Sequence, residues 1–137
     1  MRRIPNCELW IDGASRGNPG PAGIGVVCFD GADTPAWQLS KSLGHTTNNV
    51  AEYLALVYAL QEAMRRDQRV VTIKTDSELL ARQVNGQYRV KEPLLKLLHD
   101  LVTHLRDGFQ TFSIRHVPRE QNRLADKLAG QAADRVL

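Results

Sequence analysis

Four acidic residues of this 137-residue chain stand where a carboxylate is costly or conspicuous. Asp12 closes the apolar run CELWI, and Asp76 closes VVTIKT. Glu52 is the sole acid between residues 50 and 60, inside VAEYLALVYALQEAMRR, and Asp126 sits two residues past a leucine in RLADKLA. A carboxylate buried in an apolar helix needs a partner or a cation. Carboxylates that meet at one place repel, and a divalent cation resolves the repulsion. A ligand set made of oxygen alone suits Mg²⁺, which keeps part of its water shell. Each acid also has a plainer use. Asp12 could open an Asp-Gly turn, Asp76 could cap a helix, Asp126 could be a solvated helix acid, and Glu52 could be a first-turn acid. Singly, those readings stay open; the joint pattern points to a metal centre.

The elements that would carry these acids follow from hydrophobic period and turn chemistry. CELWI (7–11) reads as a strand ending at Asp12, AGIGVVCFD (22–30) as a second, and AWQLSKSLG (36–44) as a third, joined as an antiparallel meander. Asn48 and Asn49 are cap candidates for a helix over 50–66 that is apolar nearly all round. Then come a strand (70–75), a short helix (77–85) ended by Gly86, and a helix from Pro93 to about Arg106. A strand (109–117) and a closing helix (122–136) complete the order βββαβααβα. That order predicts an α/β sheet with an antiparallel and a parallel half. If strand one and strand 70–75 are parallel neighbours, Asp12 and Asp76 share a carboxyl edge, where open α/β sheets place their sites.

DGASRGNPG (12–20) holds more glycine, asparagine and proline than a two-residue turn needs. The chain shows no repeat and no linker, so one domain over 1–137 is expected. MRRIPNCELW lacks the apolar core of a secretory signal, and no run is long enough to span a membrane, which predicts a cytoplasmic protein without membrane association. The net charge of +3 permits a polyanionic partner without requiring one. Cys7 and Cys28 have no metal-ligand spacing, so free thiols are expected, facing each other if Asp12 lies opposite Gly23.

From Leu9 to about Ala133 the chain resembles type 1 ribonuclease H, on four ordered motifs: DGASRGNPGPAGIG, TTNNVAEYLAL, TDSELL and IRHVPREQNRLADKLA. The resemblance implies a five-stranded mixed sheet flanked by helices, with strands 1–3 antiparallel and strands 1, 4 and 5 parallel. It implies a monomeric endoribonuclease that hydrolyses the RNA strand of RNA/DNA hybrids using two Mg²⁺ ions, or Mn²⁺, bound by Asp12, Glu52, Asp76 and Asp126. RNA/RNA duplexes stay open as a second substrate. His116, ten positions before Asp126, matches a mobile histidine that assists proton transfer or product release.

By the same resemblance, the backbone from Gly13 through Ala14, Ser15, Arg16, Gly17 and Asn18 faces the minor groove of the hybrid, where glycines allow close approach. Thr47, Asn48, Asn49, Ser77 and Asn122 join this substrate set, and Tyr88 stands where an aromatic adjoins the DNA strand. Two departures stand out. NGQYRVKEPLL passes straight into the next helix, so the basic protrusion of longer members is absent, and Glu78 replaces a frequent glutamine. Arg115, Arg119, Arg123, Arg2 and Arg3 are other candidates for substrate grip. Two rival readings remain: a non-catalytic nucleic-acid-binding module, which should have lost an acid, and another polynucleotidyl transferase of the superfamily, which should lack GNPGPAG and TTNN.

Overall fold

The structure, a computed structural model, describes residues 6–136. Arg2 and Arg3 lie outside the described residues. Strands β1 (Asn6–Ser15), β2 (Gly20–Phe29) and β3 (Trp37–Thr46) form the meander, and helix α1 (Asn48–Arg65) leads to β4 (Val70–Thr75). Helices α2 (Glu78–Val84) and α3 (Pro93–Arg106), strand β5 (Thr111–His116), a single 3-10 turn (Arg119–Gln121) and helix α4 (Arg123–Asp134) follow. The five strands lie in the order β3-β2-β1-β4-β5, with β1, β2 and β3 antiparallel and β1, β4 and β5 parallel. This is the mixed sheet expected from the sequence.

Period-two alternation divides the sheet's faces. Leu9 and Ile11 of β1, Ile24 and Val26 of β2, and Ile73 of β4 enter the main core with Leu56 and Leu60 of α1. Helix α1 lies between that face and α3. This accounts for its apolar circumference, although Met64 near its end is 42% exposed. The other face of β2 carries Gly23 and Gly25, and a Cβ on either would overlap α4 at Ala125, Ala129 or Ala132. Alanines on α4 opposite glycines on β2 let helix and sheet approach closely, which fixes where Asp126 sits.

Several boundaries differ from the sequence reading. β1 does not stop at Asp12; it runs through Gly13 and Ala14 to Ser15. Gly13 is a packing residue, because a Cβ there would overlap the Ala51 backbone of α1. Only residues 16–19 form the turn, closed by Arg16 N donating to Pro21 O at 2.7 Å, with Gly17 at φ +110°. The cap of α1 is Thr47, whose hydroxyl accepts from Val50 N, and not Asn48 or Asn49, which begin the helix. Asp12 pairs with Gly25, two positions from the expected partner Gly23, and Leu9 stands opposite Cys28. Cys7 and Cys28 are therefore diagonal neighbours. Against the expectation of free thiols, they are joined as a disulfide, with Cα atoms 6.4 Å apart and both side chains fully buried. No helix among the described residues is long and apolar enough to cross a membrane.

Candidate active site

The β1–β4 pairing ends at Ile11 and Thr75. Beyond that point β1 continues alone beside β2, and β4 turns away at Asp76. The crevice so formed lies at the carboxyl edge, where the strand order reverses. Asp12 projects from β1 toward α4. Ser77, not Asp76, caps α2, its hydroxyl accepting from Leu80 N at 3.1 Å. Asp76 is thereby left to face the crevice. Glu52 reaches across from the first turns of α1 and accepts a short hydrogen bond from Gly13 N–H.

Carboxylate oxygens of Asp12, Glu52 and Asp76 lie within 4.8 Å of one another. Asp126, from the first turn of α4, faces the same crevice. All four border one cavity of about 620 Å³. Asp12 and Glu52 are 5% and 6% exposed, and among the described residues neither these two nor Asp76 makes an ion pair.

The electrostatic consequence is a carboxylate cluster that resists ionisation. Burial, followed by the charges of Glu52 and Asp76, pushes Asp12 up to about 10. Burial raises Glu52 to about 7, against the stabilising hydrogen bond from Gly13. Asp76 is raised as well, again chiefly by burial, while a hydrogen bond from Asn122 acts in the opposite direction. With the protein alone, the cluster must keep protons that carboxylates normally lose. A divalent cation would replace those protons, and the all-oxygen donor set fits Mg²⁺ or Mn²⁺.

The remaining expected residues divide by position. Gly13, Ala14, Ser15, Arg16, Asn48 and Ser77 border the same cavity as the acids. Gly17 and Asn18 lie in the adjoining turn, where Asn18 Oδ1 accepts from Asn48 N at 3.0 Å, so the turn and the start of α1 form one rim. Thr47 caps that helix start and Asn49 is exposed beside it. Arg16 is bonded to Asp134 at 2.9 Å and to the Gly130 carbonyl, which ties the turn to the end of α4. His116 pairs in register with Thr75, next to Asp76, and is exposed outside the acid cavity.

Asn122 is 1% exposed and donates from Nδ2 to Ile11 O at 2.8 Å, so it braces the end of β1. Tyr88 is 45% exposed and borders a separate depression of about 330 Å³. The sequence reading missed Lys127 and Gln131, which border the acid cavity one and five positions after Asp126. Lys127 and Gln131 are four positions apart and so share one side of α4, but neither stands at the three- or four-residue spacing that would tie it to Asp126. Arg119, 3.8 Å from Asp126, contributes a cation at the same mouth. A larger, shallow depression of about 1080 Å³, bordered by Trp10, Phe29 and Leu124, contains none of the four acids.

The family described as "Reverse transcriptase-like" matches residues 11–132. The "Ribonuclease HI" of Halobacterium salinarum is 39% identical over 127 residues, which is 93% of this chain and 64% of that protein. A "Ribonuclease H" of Coxiella burnetii is 32% identical, over 94% of this chain and 90% of that protein. The chain spans 35% of a bifunctional Mycobacterium tuberculosis relative of 39% identity. Among solved structures, LC11-RNase H1 in complex with an RNA/DNA hybrid superposes with TM-score 0.87 at 43% identity, covering 93% of this chain and 96% of that one.

Proposed function

Since the chain belongs to the type 1 ribonuclease H family, we propose that it hydrolyses the RNA strand of RNA/DNA hybrids. The observation that carries the proposal is the cluster itself: three carboxylates within 4.8 Å, a fourth on the same cavity, two of them buried and unpaired with any base. Such a cluster destabilises the protein unless it binds cations.

In this reading Asp12 and Asp126 would hold one ion, and Asp12, Glu52 and Asp76 would hold the other. When bound, the ions supply an activated water and neutralise charge at the scissile phosphate and the departing 3′ oxygen. The chain's own residues do the rest. Gly13 N–H fixes the Glu52 carboxylate, and Asn122 fixes the strand end from which Asp12 projects. The rim built from the 16–19 turn and the start of α1 receives the duplex, with backbone groups close enough to meet 2′-hydroxyls. His116, one residue from Asp76 across the β4–β5 pairing, moves protons at the cluster's edge. Products carry 5′-phosphate and 3′-hydroxyl ends.

Amide replacements test the assignment. Asp12→Asn, Glu52→Gln, Asp76→Asn and Asp126→Asn should each lower hybrid cleavage by about a thousand-fold or more while keeping a folded circular-dichroism spectrum. A folded variant that keeps a tenth or so of wild-type turnover would remove its acid from the centre.

A further inference from the structure

The short connection between α2 and α3, residues 86–92, is held by a buried polar clamp. Gln83 is 5% exposed, and both ends of its amide are engaged. Its Oε1 accepts from the Tyr53 hydroxyl at 2.6 Å, and its Nε2 donates to the Arg89 carbonyl at 3.1 Å. His99 of α3 meets the Gln83 carbonyl at 3.1 Å, so the clamp touches three helices. Tyr53 is 1% exposed and directly follows Glu52 on α1. One continuous polar path therefore links the helix bearing a cluster acid to a surface loop.

That loop presents Tyr88, 45% exposed, with the Arg82 guanidinium 5.2 Å from its ring centroid. Arg82 Nε has no protein partner, and its contact with Glu78 is long, at 3.6 Å. Arg82 is carried by α2, and Gln87 N and Tyr88 N donate to its carbonyl at 2.8 and 3.2 Å, so ring and cation move together with the end of α2, where Gln83 also sits. An aromatic face beside an arginine suits nucleic acid, through stacking and phosphate contact. The loop itself has little beneath it. It borders a depression of about 330 Å³, and Val90 is its hydrophobic anchor to the core.

We propose that Gln83 and Tyr53 are positioning residues for substrate binding: they clamp the end of α2 and loop 86–92 to α1, so that Arg82 of α2 and Tyr88 of the loop meet the duplex in a fixed place relative to the acids. This inference rests on hybrid hydrolysis as the activity.

The test uses Tyr53→Phe, Gln83→Met and the double variant in the full chain. Each single variant leaves a buried polar group without its partner, whereas the double removes both partners at similar volume. The Arg89 carbonyl, on an exposed residue, then turns to water. All three should raise KM for a hybrid by roughly three- to ten-fold, with kcat within about two-fold of wild type. The double should regain thermal stability without regaining KM. A double variant with wild-type KM, or single variants whose KM does not move, would overturn the proposal. Amide exchange across 86–92 supplies a readout independent of turnover. It should quicken in Gln83→Met, and unchanged exchange would also overturn the clamp. If wild type fails to cleave any hybrid, the activity reading fails, and the exchange result still decides the clamp.

Discussion

Asp12→Asn should stabilise the metal-free protein while abolishing turnover. Burial, then Glu52 and Asp76, push Asp12 up to about 10, whereas the unfolded chain loses that proton near 3.8. At pH 7 the folded state therefore keeps a proton that the unfolded state has released. At 1.36 kcal/mol per unit the handicap is about 4 kcal/mol. Proton sharing with Glu52 reduces the recoverable part, so about 2–4 kcal/mol is the expected gain. A raised folded pKa gives stability that is complete below about 3.8 and declines as pH rises toward about 10. Wild type in chelator should accordingly lose stability from acid to neutral pH, with the Asn variant showing a flatter profile. Urea denaturation across that range measures both. Mg²⁺ should recover wild type at neutral pH far more than the variant. An Asn variant no more stable than wild type at pH 7 in chelator, with the same pH slope, would refute the reasoning.

His116→Ala should slow turnover by about ten- to a hundred-fold with KM nearly unchanged, because a proton-moving group contributes less than the acid cluster; steady-state kinetics on a hybrid read both parameters. A basic helix-loop grafted between Lys91 and Pro93, which leaves the Arg89 carbonyl on Gln83, should lower KM and steepen its salt dependence, by roughly 0.9 in log-log slope for each phosphate newly neutralised, with kcat little changed. Thiol titration of denatured protein prepared without reductant should find no free thiol, since Cys7 and Cys28 are buried with Cα atoms 6.4 Å apart. Reduction should leave turnover intact, because Cys7 lies about 17 Å from Asp12 along β1 at ~3.4 Å per residue.

Three of the acids were legible because each broke a local pattern, while Asp126 stood out only with the other three and within the motif IRHVPREQNRLADKLA. Glu52 interrupts an apolar helix, and Asp12 and Asp76 end apolar runs that the sheet lays side by side. The element order was legible for the same reason, since period and punctuation change together at Asn48 and Pro93. What escaped was set by long-range packing. Gly13 reads locally as a turn residue, and only the Ala51 backbone pressing on it shows why the strand must continue. The two-position error in the β1–β2 register moves the centre of the reversal by a single residue, from between Gly17 and Asn18 to between Asn18 and Pro19, and an even slip keeps the same side chains inward, so the apolar alternation does not reveal it. Thr47 lost its place as cap to the two asparagines because all three residue types favour that position. Asn122 reads as polar and exposed, and its burial depends on the Ile11 carbonyl, more than a hundred positions away in the sequence. Lys127 and Gln131 carried no signal.

The central claim is that Asp12, Glu52, Asp76 and Asp126 form a metal-dependent centre for the RNA strand of a hybrid. A duplex labelled on its RNA strand, tested beside DNA duplex and single-stranded RNA with Mg²⁺ and with EDTA, addresses it most directly. The account predicts cleavage of the hybrid's RNA strand in Mg²⁺, its loss in EDTA, intact DNA, and fragments ending in 5′-phosphate and 3′-hydroxyl. Cleavage that survives EDTA, equal attack on DNA duplex, or a hybrid left whole in Mg²⁺ would contradict it.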